Sequence, residues 1–243
     1  MATAVKALMN DAHVKLMIWG EPGSGKSRFA LTAPSPLVID LEGSTRLYAS
    51  EFDFYVAEVD KSNDNAKNAC TLVGTILEEI WNGEYPDVKT LVIDPVTDLL
   101  DELEMFCAAK YSQQIGKNVA QLNALQKTRW YAYRRDQARA MLDKIKALPL
   151  NLILVSRSKT LWGKGDGGDT SPIGEIYDAN PIVESLMDIV INIRKEGNDY
   201  IAQVKKSRLG NLPEILPVRE YSSIQETLDQ KSEMSKTAKN EAL

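Results

Sequence analysis

The sequence predicts an α/β protein whose core is a mostly parallel sheet with helices on both faces and antiparallel strands added at one edge near the C-terminus. Three observations carry this. Short apolar runs alternate with helix-period segments through most of the chain, the pattern of a parallel sheet covered on both sides. The first run, KLMIW at 15–19, leads without a break into Gly20-Glu21-Pro22-Gly23-Ser24-Gly25-Lys26-Ser27 and then into a helical pattern. Near the end, apolar runs at 187–194 and 200–206 flank Gly197-Asn198, a hairpin signal.

The elements follow in order. Residues 26–32 read as a helix that Pro34 and Pro36 end, since proline cannot continue one. LVID at 37–40 is a buried strand, and 52–59 is another, rich in aromatic and β-branched residues. Residues 66–81 form the clearest helix, with Ala69, Leu72, Val73, Ile76, Leu77, Ile80 and Trp81 at helical spacing and Asn82-Gly83 closing it. Residues 91–94 are a strand. Residues 98–110 are amphipathic through Leu99, Leu103, Phe106 and Cys107, 111–128 read as a polar connection, and 128–148 as a long helix. NLILV at 151–155 is a buried strand. Residues 156–180, with Gly163, Gly165, Gly167, Gly168 and Gly174, read as a long irregular loop of the kind that carries function. A last strand is expected at 215–218. This organisation divides the chain into a leader at 1–14, one domain at 15–220 and a polar tail at 221–243.

Composition narrows the chemistry. The chain has 243 residues, a hydrophobic fraction of 44% and a net charge of −5. No apolar run approaches the roughly 20 residues that span a bilayer, and the first residues do not form a secretory pattern. A soluble, cytoplasmic protein without a membrane partner is expected. Cys70 and Cys107 sit among apolar residues at helical spacing and read as reduced, buried thiols. His13 is the only histidine, which argues against a Ser-His or Cys-His nucleophile and against a histidine-built metal site.

The segment Gly20 to Ser27 matches G-x-x-x-x-G-K-[ST] between a strand and a helix, the required context for a P-loop. Glycines let the backbone curl so that N–H groups face phosphates, and the helix N-terminus adds partial positive charge. Lys26 is suited to the β- and γ-phosphates and Ser27 to Mg²⁺. With Glu21, Pro22, Gly23, Ser24, Gly25 and Arg28, these residues predict an ATP and Mg²⁺ site. Asp94, ending an apolar strand, is the expected second carrier of the metal. Pro95 follows it, where many P-loop ATPases place a catalytic Glu. Glu42, just past the strand at 37–40, is therefore the candidate to position the attacking water, with Asp40 and Asp98 as lesser rivals.

These residues resemble the RecA-like ATPases: a P-loop, then Ile39-Asp40-Leu41-Glu42, then a strand ending at Asp94. Lys206-Ser207-Arg208-Leu209-Gly210 is similar to the Lys-x-Arg-x-Gly element of RadA-type proteins. The opening pattern K-L-M-I-W-G-E-P-G-S-G-K-S, followed by A-P-S-P-L-V-I-D-L-E-G, looks closer still to phage-encoded RecA-like nucleotide-binding proteins, some of them Sak-type single-strand annealing ATPases. The resemblance covers roughly residues 15–218. It implies a RecA-like P-loop NTPase core, ATP hydrolysis between subunits of a homo-oligomer, and Arg208 with Lys206 reaching a neighbour's γ-phosphate. The implied partners are single-stranded DNA, further copies of the chain and a single-strand binding protein. In one respect the chain departs from RecA: Ser156-Arg157 stands where RecA carries an Asn-Gln pair whose Gln senses the γ-phosphate, so by the resemblance Ser156 or Arg157 is the candidate to substitute for that Gln and the coupling between ATP and DNA is expected to differ.

By the same resemblance, DNA would meet the loop at 156–169, through Arg157, Lys159 and Lys164 on phosphates and Trp162 as a stacking platform. Asp166 and Asp169 offset part of that charge. A second basic surface lies at 127–146, where Lys127, Arg129, Arg134, Arg135, Arg139, Lys144 and Lys146 face only Asp136 and Asp143, with Trp130, Tyr131 and Tyr133 interleaved. A solvated helix face with aromatic packing at its start explains that surface equally well. Two other functions fit the P-loop: an ATP-switched loader or scaffold for a replication protein, and a small-molecule kinase with 163–168 as its lid.

Overall fold

The strand leading into the P-loop, β1 (Lys15–Gly20), is buried along its whole length. A strand covered on both sides needs apolar side chains pointing both ways. Leu16 and Ile18 enter one core cluster, and Met17 and Trp19 enter the other. Around it the computed structural model describes residues 13–59, 68–164, 170–208, 212–217, 220–222, 224 and 226. In chain order the further elements are α1 (Lys26–Leu31), β2 (Pro36–Asp40), β3 (Tyr55–Glu58), α2 (Ala69–Trp81), β4 (Thr90–Asp94), α3 (Val96–Ile115) and α4 (Ala124–Lys146). These are followed by β5 (Asn151–Lys164), β6 (Thr170–Tyr177), α5 (Pro181–Leu186), β7 (Ile189–Glu196), β8 (Asp199–Ser207) and β9 (Ile215–Pro217).

The strands pair in the order β3-β2-β4-β5-β1-β7-β8-β9, with β6 on β5 outside that path. From β3 to β7 all neighbours are parallel, and β7-β8-β9 are antiparallel. The fold is the expected P-loop α/β class with an antiparallel edge. One face of the sheet is covered by α2, α3, α4 and α5. The other is covered by α1, with Tyr221 and Ile224 packed beside it. Among the described residues no helix is long and apolar enough to cross a membrane. Cys107 is buried, Cys70 is half-buried, and both are free.

Four expectations change. The polar stretch 111–128 is mostly helical: α3 runs on to Ile115, and α4 starts at Ala124 with a capping box between Asn123 and Gln126. Polarity there marks exposed helix faces, not a loop. The irregular loop at 156–180 is largely a hairpin, in which β5 continues to Lys164 and pairs antiparallel with β6. Its residues are mostly exposed, so no apolar alternation signals it. The helix Pro181–Leu186 was not read from the sequence; Asn180 caps it, accepting from Ile182 N at 3.1 Å, and Pro181 occupies its first turn. The tail does not begin at 221. Tyr221 and Ile224 are fully buried, the Tyr221 ring lies 6.3 Å from that of Phe29, and Tyr221 N donates to Thr32 Oγ1 at 2.8 Å.

Tyr221 thus gives a direct test of the domain boundary. Tyr221→Ala is expected to cost about 3–5 kcal/mol in urea unfolding, because it opens a large cavity under α1. Tyr221→Phe is expected to be neutral or stabilising, because the hydroxyl it removes is buried without a partner.

Candidate nucleotide site

The C-terminal ends of β1, β2, β4 and β5 meet at one level, and the candidate residues are gathered there. The chain leaves β1 at Gly20, where a Cβ would lie 2.1 Å from the Ile193 carbonyl oxygen, so only glycine fits. The loop then closes on itself, with Ser24 N donating to Glu21 O at 3.2 Å. Gly25 takes a left-handed φ of 88° and hands the chain to α1. A Cβ there would touch the Tyr200 ring at 3.0 Å. Lys26 Nζ donates to Glu21 O at 2.7 Å. Burial lowers the Lys26 pKa, with Asp94 and Glu42 acting against that and Arg157 adding to it. Ser24 Oγ is buried without a hydrogen-bond partner. A curled glycine loop, an unused buried hydroxyl and an ammonium bonded to the loop's own Glu21 carbonyl suit a polyphosphate.

Asp94 is buried at the end of β4, level with Asp40 on β2. Burial pushes its carboxyl up to about 6, the Ser27 hydrogen bond works against this, and Glu42 and Asp40 add to it. A carboxylate held against a hydroxyl offers the hard oxygen pair that a Mg²⁺ ion takes together with phosphate oxygens.

Glu42 owes its place to Asp40. Asp40 Oδ1 accepts from Glu42 N at 3.1 Å and Gly43 N at 2.7 Å. Its Oδ2 accepts from Thr45 N at 2.7 Å and Thr45 Oγ1 at 2.6 Å. Leu41 N donates to Asp94 O at 2.8 Å, which ties the same turn to β4. Asp40 is buried with both oxygens engaged, so it builds the turn and is not available as a base. Glu42, about half exposed, projects from that turn.

Of the two places the sequence offers for Arg157, the DNA loop with Lys159, Trp162 and Lys164 or the position of the γ-phosphate-sensing Gln, the structure sets its side chain against Glu42, at the level of the P-loop. On β5 it pairs directly with Gly20 of β1. Its Nε and Nη2 donate to Glu42 Oε1 at 3.1 and 2.6 Å, and its Nη1 and Nη2 to Asp98 Oδ1 and Oδ2 at 2.5 and 3.0 Å. The reason is register: Arg157 is the last residue of β5 that pairs inside the parallel sheet. With both partners partly exposed, such ion pairs are worth about 0–1 kcal/mol.

Beyond Arg157, the β5–β6 hairpin projects from the site. Its root is stitched to α3: Arg157 N donates to Thr97 Oγ1 at 3.3 Å, Thr97 Oγ1 donates to Asp178 O at 2.7 Å, and Asp178 N donates to Arg157 O at 2.7 Å. Lys159 is paired with Asp178 at 3.0 Å. Further out, Leu161, Trp162 and Ile173 are exposed apolar side chains, and Lys164 is exposed. Gly165, Asp166, Gly167, Gly168 and Asp169 lie outside the described residues. Two of the three aromatic residues of the basic helix pack against α3: Trp130 is buried with its ring 5.4 Å from that of Tyr111, Tyr133 lies 5.6 Å from the same ring, and Tyr131 is exposed.

Lys206 and Arg208 stand at the opposite end of the sheet. Arg208 N donates to Asp188 O, and Asp188 N to Lys15 O at the start of β1. The length of β1, roughly 17 Å, separates that level from the P-loop. Their side chains cap the last carbonyls of α5: Lys206 Nζ donates to Glu184 O, and Arg208 Nη2 to Ser185 O at 2.6 Å. Leu209 and Gly210 of that element lie outside the described residues. Neither cation can serve its own chain's P-loop.

A family model for the AAA domain matches residues 12–240. The chain belongs to the AAA domain family. A comparison with curated proteins gives no match. As an AAA domain the chain is a nucleotide-binding protein of the P-loop ATPase type, and the match runs through both the leader boundary and the C-terminal residues that pack under α1.

Two parts of this AAA domain's site were not legible in the sequence. Tyr200 lines a cavity of about 350 Å³ with Gly25, Arg28, Phe29, Ile193 and Asn198. Its only local signal was its place after the Gly197-Asn198 turn. Asp98 was noticed only as a carboxylate beyond Asp94, whereas it orients Arg157. Arg28, a residue of the predicted nucleotide set, lines the same cavity, pairs with Glu51 at 2.5 Å and lies 5.1 Å from the centre of the Phe52 ring.

The raised Asp94 value sets a pH dependence. Its folded pKa lies above the unfolded value, so ionisation costs stability as pH rises from about 4 to about 6, and the full cost remains at pH 7. Asp94→Asn is therefore expected to stabilise the metal-free protein by about 1–3 kcal/mol in urea at pH 7.5. The same change is expected to abolish the Mg²⁺ dependence of nucleotide binding. In the unmutated protein that dependence should strengthen as pH rises through about 6.

Proposed function

We propose that this AAA domain is a Mg²⁺-dependent ATPase of RecA-like type that acts on single-stranded DNA, in recombination or annealing of the phage kind, as a ring or filament with ATP between subunits. The observation that carries the reading is the continuity of β5. One strand passes from Arg157 at the nucleotide site into an arm bearing Lys159, Trp162 and Lys164, so that what the arm holds and what the site holds share one strand. An exposed indole between lysines suits stacked bases and a phosphate backbone.

In this reading Gly20 to Ser27 cradle the phosphates and Lys26 leaves the Glu21 carbonyl for them. Ser27 and Asp94 hold Mg²⁺, which when bound offsets charge on the phosphate oxygens. Tyr200 offers a ring to the base. Glu42, on the turn built by Asp40, orients the attacking water. Arg208, with Lys206 beside it, acts on a neighbouring subunit's site as an arginine finger, which its distance from its own P-loop favours. A second reading, an ATP-switched loader or scaffold for a replication protein, is favoured by the apolar groups Leu161, Trp162 and Ile173 exposed on the arm.

The deciding measurement is ATP turnover with and without single-stranded DNA at two salt concentrations, with Lys26→Ala as the blank. Stimulation by DNA that fades at high salt is the expected result. Turnover above the blank but indifferent to DNA would move the assignment to the loader or scaffold. Arg208→Ala is expected to lower turnover by about 10³-fold while the wild-type rate per chain rises with protein concentration. An unchanged rate in that variant would remove Arg208 from the chemistry.

A further inference from the structure

The cavity beside the P-loop contains two polar side chains that the fold leaves unused. Gly25, Arg28 and Phe29 line it from the start of α1, Asn198 and Tyr200 from the β7–β8 hairpin, and Glu220 from the C-terminal segment. Arg28 is the cation among them, and Glu51 holds it at 2.5 Å. Among the described residues, neither Glu220 nor the Asn198 side chain has an ion-pair or hydrogen-bond partner. A carboxylate so near a loop that suits a polyphosphate repels the phosphates. It is of use only to a part of the ligand that donates hydrogen bonds. Its place is also fixed. Glu220 precedes Tyr221, whose ring lies 6.3 Å from that of Phe29 and whose N–H donates to Thr32 Oγ1, and Phe29 is itself a wall of the cavity.

We propose that Glu220 is a specificity-determining residue that accepts a hydrogen bond from the 6-amino group of adenine, with Asn198 donating to a ring nitrogen and Tyr200 stacked on the base. This rests on the ATPase reading above and adds to it the group that chooses the base. The choice is one of sign. A 6-aminopurine turns an N–H toward the carboxylate. A 6-oxopurine turns a carbonyl oxygen toward it, so acceptor meets acceptor and both lose water without gaining a bond. The Tyr200 ring stacks on any purine and so gives affinity without choice. A volume of about 350 Å³ lies within the range of small-molecule sites. The packing of Tyr221 that completes the core thus also sets the base-reading carboxylate beside the P-loop.

The test is calorimetric titration of the full chain with ADP, inosine diphosphate, GDP, 2′-deoxy-ADP and pyrophosphate, each with Mg²⁺, on wild type, Glu220→Ala and Glu220→Gln. Wild type is expected to bind ADP about 10- to 100-fold more tightly than inosine diphosphate or GDP. In Glu220→Ala the ADP affinity is expected to fall about tenfold, and the gap to close to within about threefold. Glu220→Gln, whose amide both donates and accepts, is expected to bind ADP and inosine diphosphate equally well. Any difference that 2′-deoxy-ADP shows from ADP in wild type is expected to persist in both variants. Pyrophosphate carries no base and is expected to bind all three proteins alike. Glu220 is exposed, so neither change reaches the core, and thermal melts without ligand confirm that each variant is folded.

A base preference that survives in Glu220→Ala, or a wild type that binds GDP more tightly than ADP, would overturn the assignment. So would a Glu220→Ala loss that disappears with 2′-deoxy-ADP, since that puts the carboxylate on the ribose. A wild type that binds pyrophosphate and every diphosphate alike defeats the assignment and leaves the ATPase reading standing. A wild type that binds none of the five defeats the ATPase reading and the assignment with it.

Discussion

Parallel pairing across β2, β4, β5 and β1 is the constraint on which the rest of the site depends. It sets Asp40 beside Asp94 and Gly20 beside Arg157, so three strands finish, and β5 leaves the parallel sheet, at one end of the sheet. Within the parallel sheet each of these segments is short and buried, and slipping any of them by one residue would turn its apolar face the wrong way. The same hydrophobic patterning that builds the core therefore fixes the relative heights of the charged groups beyond it. Function at that edge draws on the core's precision without adding residues to it.

The groups so placed are held at a cost to the folded chain. Asp94 is a carboxylate in an apolar wall, Lys26 is an ammonium partly out of water, and Ser24 keeps a buried hydroxyl unused. Asp40 and Arg157 spend their hydrogen-bonding capacity on organising others. A fold selected only for stability would fill these positions with apolar side chains. Their joint presence at one strand edge marks the edge as a binding site independently of the motif that first drew attention to it.

The sequence disclosed the strands, the P-loop, Asp94 and Glu42, because each sits at the end of a continuous apolar run where period and position are unambiguous. It disclosed the β7–β8 hairpin through Gly197-Asn198. It concealed the β5–β6 hairpin, whose two faces are both wet, so that no alternation of apolar and polar residues betrays the pairing. The start of α4 was hidden for a related reason: Ala124 to Lys127 is capped and helical but lies outside the core, with even Leu125 exposed, so no buried apolar stripe marks it. Arg157 was visible as a residue and not as a neighbour of Glu42, which is 115 positions away. Contacts at that separation follow from strand order, and strand order is written in no local window. Lys206 and Arg208 show the converse. Their spacing was legible, and only the structure shows them capping α5 at the far end of the sheet.

The packing of Tyr221 against Phe29 bears on how the protein is made. A helix of six residues such as α1 cannot sustain itself in water, since helices under about 12 residues are marginal alone. It depends on the sheet beneath it and on cover from a segment 189 residues later, tied back through Thr32. Its strand, β1, likewise finds both neighbours, β5 and β7, only in the second half of the chain. Synthesis runs from the N-terminus, so the phosphate loop leaves the ribosome ahead of β5, β7 and Tyr221, the parts that support it. The part of the molecule that handles nucleotide is translated well before the residues that finish it.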